Sequence, residues 1–594
     1  MYIKFVNFVD QINQYRQSKI SNKNFLIIAA IIVGVLSGLA ASLLKGITHK
    51  IEHFLQTDLQ WQYKYYLYLL FPAIGILLSV IYVRRFIKKG KFETGLTPLL
   101  YTISKKSSKV EPHNSYSQII TAAITVGFGG STGLEAPIAT SGASIGSTLG
   151  RFLGLNYRET TLLLACGAAS GIAGAFNSPI AGIVFAIEIL LPEFTIPAFI
   201  PLLLSTATAA VVARLFYTEQ LFFLVTEGWQ IKALGFYVIL AVLVGLYSIY
   251  FGKVNNGIKG AFYKIKNPYH KIALGGLLLG LLIFLFPTLY GEGYITINNL
   301  LKGDYNSVIN NSIFSEFSDI PLVVIGFSIA TVMLKSVATL ITLSAGGNGG
   351  TFAPSLIIGG LLGFIVAYCI NVSGLAQVNT SNFIVAGMAA ALGSLMHAPL
   401  TGIFLIAEIT GGYVLMVPLM ITTAIAYLIN RSVSKYSIYT KALAERGELS
   451  HHSDKDTTVL NMMKLKHLVE RNYLVLSEDD LFQDSLSAVL KSKRNVIPVV
   501  ANDGKLKGVI YIEMVLEHML QRQKEELKLQ DLIQHVSPIV VSADLKAVLK
   551  QMEQENVWLL PVVDPYGAYI GMVSKTSIFN KYRDLLNQQA DYLS

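Results

Sequence analysis

The chain is poor in charge and in cysteine. Lys, Arg, Asp and Glu make up 14% of its 594 residues against 53% hydrophobic ones, and the mean hydropathy is +0.52. A soluble globular domain carries about 25% charge, so a chain that is soluble throughout is excluded. The two cysteines, Cys166 and Cys369, lie in apolar surroundings and are too few for a disulfide framework or a thiolate metal site, so they read as packing residues. There is no HExxH metal motif and no Walker-type phosphate loop, so neither a metal site nor an enzyme is expected. Acid is scarcer than base, 37 residues against 47. The excess collects in short loops, which is the pattern of cytoplasmic connections in a membrane protein and not of a nucleic-acid partner.

Charge is also unevenly spread along the chain. Forty of the 84 charged residues fall in the last 154 positions, leaving 44 in the first 440. This predicts an N-terminal segment over 1–24, a membrane domain over 25–445 and a soluble-like tail over 446–594. Eight basic residues between Arg84 and Glu111, and five lysines from Lys253 to Lys271, place those loops and both termini in the cytoplasm of a multi-pass cell-membrane protein. The acidic stretch from Pro287 to Asp319, with Glu292, Asp304, Glu316 and Asp319, is placed outside. The first apolar run, Phe25 to Leu44, is too long for a signal-peptide core.

Apolar segments near 25–47, 64–83, 161–191, 195–217, 233–252, 270–290, 318–343, 354–372 and 381–430 contain more Gly and Pro than simple spans require. Breaks at membrane depth free backbone groups that lipid cannot satisfy, so they imply a pathway lined by protein or water. The breaks repeat. Gly129 to Pro137 aligns with Gly346 to Pro354 at five of nine positions, and the run from Phe176 to Ile189 aligns with that from Met396 to Ile409. The two prolines of each half are 42 and 45 residues apart. Interrupted helices at matching positions are what an inverted-repeat transporter places around a midplane site. The tail repeats as well: Asn495 to Ile510 recurs 63 residues later as Val557 to Val573, each unit reading as strand, turn, strand with short helices at Ser485 to Lys491 and Leu545 to Glu553.

Glycine-rich turns that open into helices aim several N–H groups at one point, which makes an anion site without a full positive charge. Weak main-chain coordination suits a passing anion better than a lysine would. Glu135 stands in the first such segment. A carboxylate at membrane depth is costly unless it is paired or functional, and it resembles the permeating anion; the bland alternative is a helix cap. Glu188 and Glu408, equivalent in the two halves, read as structural. His397 aligns with Asn177 and reads as a helix cap before a metal ligand.

Together Gly133-Leu134-Glu135-Ala136-Pro137, Gly350-Thr351-Phe352-Ala353-Pro354, Phe176-Asn177-Ser178-Pro179 and Ser437-Ile438-Tyr439-Thr440 resemble the CLC family of chloride channels and proton-coupled chloride antiporters. The tail resembles paired CBS domains. The resemblance implies an all-α polytopic membrane protein with an inverted internal repeat plus a C-terminal α/β module, acting on chloride as a homodimer in the lipid bilayer. It makes Glu135 the gate, with the anion held by the main chain at Gly133, Leu134, Thr351 and Phe352, by the Tyr439 hydroxyl, and by a hydroxyl from the first half. Thr94 stands in that last place within Glu93-Thr94-Gly95-Leu96-Thr97, with Thr97 the nearby alternative. Coupled relatives carry an acid where this chain has Ile189, so the proton-relay position is lost and a gated passive chloride channel is the favoured reading. A proton-coupled antiporter is the alternative, and a membrane-embedded nucleotide sensor with a vestigial pore is a further one. An adenine nucleotide at the CBS module is weakened by Tyr511 and Met514 in the first unit and Ser577 in the second, although Ser574 remains; a structural or regulatory role for the tail is preferred.

Overall fold

The computed structural model describes residues 21–58, 64–87, 92–191, 196–217, 228–310, 312–411, 413–446, 448, 463–480, 482–492, 494–520 and 529–590. Most of the expected N-terminal segment and Gly447 of the expected junction lie outside these. The chain divides into two compact units, Met1–Leu449 and Ser450–Ser594.

The first unit is helical. In chain order the main helices are α1 Asn22–His53, α2 Phe71–Phe86, α3 Thr97–Lys105, α4 Asn114–Gly127, α5 Glu135–Phe152, α6 Tyr157–Phe176, α7 Pro179–Phe185, α8 Ile196–Phe216, α9 Leu234–Tyr263, α10 Pro268–Leu285, α11 Tyr294–Leu301, α12 Pro321–Ser344, α13 Phe352–Ser373, α14 Thr380–Met396, α15 Pro399–Ile409 and α16 Met416–Val433. Among the described residues, eight helices are long and apolar enough to cross a membrane. The single apolar runs at 161–191 and 381–430 resolve into two and three helices, because Pro179, Pro399 and Pro418 each sit at or near a helix start, where a missing N–H costs nothing.

Helix α1 shows how the unit packs. Ile28, Ile32, Leu36, Leu39 and Leu43 face outward, while Gly34, Ser37, Gly38 and Ala41 are buried. Large apolar side chains meet lipid and small ones meet protein, since lipid gives no hydrophobic incentive to bury a leucine. A Cβ at Gly34 would stand 2.4 Å from the Ser205 carbonyl oxygen of α8. The tightest contacts are duplicated. Gly142 of α5 and Gly167 of α6 back onto each other, with an added Cβ 2.1 and 1.9 Å from the partner's carbonyl oxygen; Gly359 of α13 and Gly387 of α14 repeat this at 2.1 Å both ways.

The matched halves are visible elsewhere. Helices α6 and α14 close on Asn177 and His397, both left-handed (φ 55° and 56°), whose N–H groups return to the Ala173 and Gly393 carbonyls. The cap expected at His397 is therefore present. Asn and His tolerate this conformation better than branched residues do. Equivalent segments run antiparallel where they meet at Gly133 and Gly350, so the repeat is inverted.

The second unit holds two three-stranded sheets of identical topology. Their elements are β1 Leu476–Ser477, α17 Phe482–Lys491, β2 Val496–Val500, β3 Leu506–Tyr511 and α18 Ile512–Leu520, then β4 Ile539–Val540, α19 Leu545–Gln554, β5 Leu559–Val563, β6 Tyr569–Ser574 and α20 Lys575–Ala590. Registers match: Val496 opposes Tyr511 as Leu559 opposes Ser574, with an irregularity after Val499 and after Val562. The lead-in to each repeat pairs with the sheet of the other, Glu470 with Met572 and Gln534 with Val509, which locks the two repeats together.

The close glycine contacts give a prediction. Gly167→Val forces the α5–α6 backbones apart and costs ~3 kcal/mol or more, so its thermal midpoint in detergent falls sharply. Gly252→Ala in α9, which meets nothing within 4 Å, leaves it unchanged or slightly raised.

Candidate functional site

The site is built where two helix starts converge. Gly133 and Gly350 exchange both main-chain hydrogen bonds, 2.9 and 2.8 Å, immediately before α5 and α13. Side chains hold this crossing. The Thr132 hydroxyl donates to the Gly350 carbonyl (2.9 Å), the Asn348 amide group donates to Gln118 Oε1 and Thr121 Oγ1 (both 2.8 Å), and the Asn348 N–H donates to Thr125 Oγ1 (3.1 Å). Glycine is required on both strands: a Cβ on Gly133 would lie 2.2 Å from a Glu135 carboxylate oxygen, and one on Gly350 2.6 Å from Ala136 Cβ.

Glu135 is the first residue of α5 and is 3% exposed. Its carboxylate meets its own N–H at the start of α5 and also reaches across to the other half. Oε2 accepts the Ala353 N–H at the start of α13 (3.3 Å), and Oε1 accepts the Tyr294 hydroxyl (2.7 Å). A carboxylate of the first half thus caps the N-terminal amides of the second, in the position where an anion would be held. Among the described residues no protein acceptor takes the N–H of Phe352. The Phe352 ring lies 5.6 Å from that of Phe176, and the Thr351 hydroxyl is 3.1 Å from the Tyr439 hydroxyl. Glu135, Gly133, Thr351, Phe352 and Tyr439 are therefore brought together. Leu134 joins them through its N–H, which is donated to Glu292 Oε1 at 3.2 Å.

Thr94, partly buried ahead of α3, is hydrogen-bonded to none of these groups among the described residues. The threonine tied to the tyrosine is Thr97, whose hydroxyl donates to the Tyr439 carbonyl at 2.9 Å.

Comparison with known proteins places this geometry. Residues 75–431 match the family profile described as voltage gated chloride channel, and 465–521 and 530–584 each match the CBS domain. The chain belongs to the CLC family. It is a polytopic membrane protein of anion transport. A ClcB-like protein of Ralstonia nicotianae, named as a chloride channel protein, is 31% identical over 54% of this chain and 72% of its own length. The H(+)/Cl(-) exchange transporter ClcA of Vibrio cholerae is 28% identical over 54% of this chain and 66% of its own. Among solved structures, a slow cyanobacterial Cl-/H+ antiporter aligns at TM-score 0.61 with 23% identity, covering 72% of this chain and 99% of that one. A eukaryotic CLC transporter aligns at TM-score 0.60 with 18% identity, covering 94% and 99%. These two share the fold.

Two glutamates of this CLC chain carry the pseudo-symmetry. Glu188 accepts from the N–H groups of Leu400 (3.1 Å) and Thr401 (2.8 Å) and from the Thr401 hydroxyl (2.8 Å), while Glu408 accepts from those of Ile180 (3.0 Å) and Ala181 (2.9 Å). Each caps the first turn of the other half's helix, which supplies the amide partners that the sequence left open. Ile189 follows Glu188 on a π-helical turn, Ala186–Leu190, and packs against the apolar core.

Sequence reading missed four ionisable groups around Glu135. Lys45 of α1 donates to the Ala175 carbonyl and stands 5.9 Å over the Phe176 ring. Lys335 of α12, fully buried, donates to the carbonyls of Gly291 (3.0 Å) and Leu289 (3.3 Å). Both are lone lysines in apolar runs, a signal as strong as that of Glu135 itself. Glu292 and Tyr294 belong to the stretch placed outside, and both face the site. Of two Gly-x-Ser-x-Gly stretches, Gly129–Gly133 follows helix α4 and Gly142–Gly146 lies inside α5, so neither is a strand-to-helix nucleophile elbow, and Ser144 spends its hydroxyl on the Glu111 carbonyl (2.9 Å).

Removing one crossed cap leaves partly buried amides unpaired, at ~1–3 kcal/mol. Glu408→Ala should lower the thermal midpoint in detergent and Glu408→Gln should recover part of the loss; an unchanged midpoint in Glu408→Ala would contradict the capping role.

Proposed function

We propose that this CLC protein exchanges chloride for protons, with Glu135 as the shared gate. The observation that carries the reading is the Glu135 carboxylate seated on the Ala353 amide of the opposite half. An anion reaching that helix start competes with it. Protonation neutralises the carboxylate, weakens its hold on the amide and frees the place, so one side chain answers to both ions. In this reading the main chain at Gly133, Leu134, Thr351 and Phe352 and the Tyr439 hydroxyl take chloride in turn, with Thr94 or Thr97 supplying the hydroxyl from the first half. The exchange function, placed second in the reading of the sequence, is favoured by relatives named as exchange transporters and by solved neighbours named as antiporters. One further neighbour is a CLC-type fluoride/proton antiporter, at 23% identity and TM-score 0.56.

Ile189 favours the second reading, a gated passive channel, because an aliphatic side chain relays no proton. In the exchange reading water reaches Glu135 from that side instead. Glu188 does not replace the missing acid, as three hydrogen bonds hold it to Leu400 and Thr401. The family resemblance also gives a homodimer in the cell membrane with cytoplasmic termini. The tail is assigned a structural or regulatory role without a tightly held adenine nucleotide. Ser574, the remaining hydroxyl of that motif, already donates to Glu470 (2.8 Å), which pairs with Arg494 at 2.9 Å.

Purified protein in liposomes tests the proposal by simultaneous recording of chloride and proton movement. A chloride gradient should drive protons in the opposite sense, and Glu135→Gln should abolish proton movement while chloride still flows. Chloride flux with no proton movement in the unaltered protein would establish the channel reading instead.

A further inference from the structure

The main-chain rim around the gate carries a second carboxylate. Glu292 Oε1 accepts the N–H of Leu134, the residue directly before Glu135, as Glu135 Oε2 accepts that of Ala353. The turn that delivers it is specific. Gly291 and Gly293 flank Glu292 with φ of 57° and 97°, a conformation that side chains rarely adopt, and Lys335 pins the turn by donating to the Gly291 carbonyl. One residue further on, Tyr294 donates to the Glu135 carboxylate. A single turn thus places an acid on the amide before the gate and a hydroxyl on the gate itself.

The charged and titratable groups facing Glu292 come from every side: Lys45 and Glu52 of α1, Lys335 of α12, Glu135 at the start of α5, and Tyr294 of α11. Two of these are lysines and two are carboxylates, so charges of both signs face Glu292. Neither lysine clamps it. Lys45 is committed to the Ala175 carbonyl and Lys335 to those of Leu289 and Gly291, and among the described residues no ion pair to Glu292 is formed. The hold on Glu292 is one hydrogen bond to one amide. That is the kind of contact a halide replaces.

We propose that Glu292 is a second, outlying gate: a carboxylate that occupies the Leu134 amide in place of an anion and leaves it when protonated or displaced. The proposal rests on the transport reading above and extends it from one acidic stopper to two. Two neighbouring carboxylates titrate as a pair, so the anion pathway opens over two steps of acidification.

The test is chloride efflux from liposomes as a function of external pH, for the unaltered protein, Glu135→Gln, Glu292→Gln and the double variant. Glutamine keeps the size and shape of the side chain and removes the titration. Glu135→Gln should retain a rise in efflux of about tenfold on acidification, the factor that one charge-assisted hydrogen bond carries. Glu292→Gln should raise efflux at neutral pH by a similar factor and narrow the pH response, and the double variant should be flat. A flat profile in Glu135→Gln alone overturns the proposal, as does a double variant that keeps the Glu135→Gln profile. The Glu135→Gln profile decides the matter by itself should Glu292→Gln fail to fold. Absence of chloride efflux from all four proteins would instead overturn the transport reading, and this proposal with it.

Discussion

Everything in the membrane unit answers to one constraint: a main-chain N–H at membrane depth must have an acceptor. Unbroken helices meet it internally. Here the chain breaks twice at glycine-rich turns, and the exposed helix starts of α5 and α13 are brought to one place by the antiparallel exchange between Gly133 and Gly350. Two of the amides that remain are met by carboxylates, Glu135 on Ala353 and Glu292 on Leu134, and that of Phe352 has no protein acceptor among the described residues. A fold that needed only stability would have continued the helices. The breaks are tolerated because protein lines them, and what they create is a set of donors with no formal charge, able to hold an anion briefly.

The same device appears in a purely structural form at Glu188 and Glu408. Each reaches across the pseudo-symmetry to cap the other half's short helix, with two or three hydrogen bonds apiece. Comparing the two pairs separates caps held only by the other half from the carboxylate at the convergence of α5 and α13. Glu188 is held by two amides and a hydroxyl of the other half at 2.8–3.1 Å, whereas Glu135 reaches only one amide of the other half, at 3.3 Å, beside its own N–H and the Tyr294 hydroxyl. The lysines complete the arrangement from behind: Lys45 and Lys335 bind carbonyls, not carboxylates, so positive charge is present near the rim without occupying it. Around this the glycine contacts Gly142–Gly167 and Gly359–Gly387 bring α5 to α6 and α13 to α14 closely enough to fix the helix starts.

Much of this was legible in the sequence because a duplication displays itself: the Gly/Pro breaks at 129–137 and 346–354 located both helix starts, and the tail's strand-turn-strand units fell where the sheets are. The inversion came from the family resemblance and not from the repeat itself, since chain order carries no direction in space until Gly133 is seen against Gly350. The resemblance puts Thr94 opposite Tyr439, with Thr97 the nearby alternative; Thr97 begins helix α3 and donates its hydroxyl to the Tyr439 carbonyl, which ties it to the tyrosine's main chain without deciding between the two. Glu292 was hidden by its company. Among the acids of the 287–319 stretch it looked like a solvated loop residue, and only the left-handed glycines on either side hinted that the turn was shaped for it. Lys45 and Lys335 were in plain view as single charges in apolar runs, yet hydropathy averages absorb one lysine without trace.

The most direct measurement is anomalous diffraction from crystals of the Glu135→Gln protein grown in bromide. The account predicts a bromide peak within hydrogen-bond reach of the Ala353 N–H, at the position that the Glu135 carboxylate oxygen holds in the unaltered chain. Bromide absent from that amide, or bound only at lysine side chains, would contradict it.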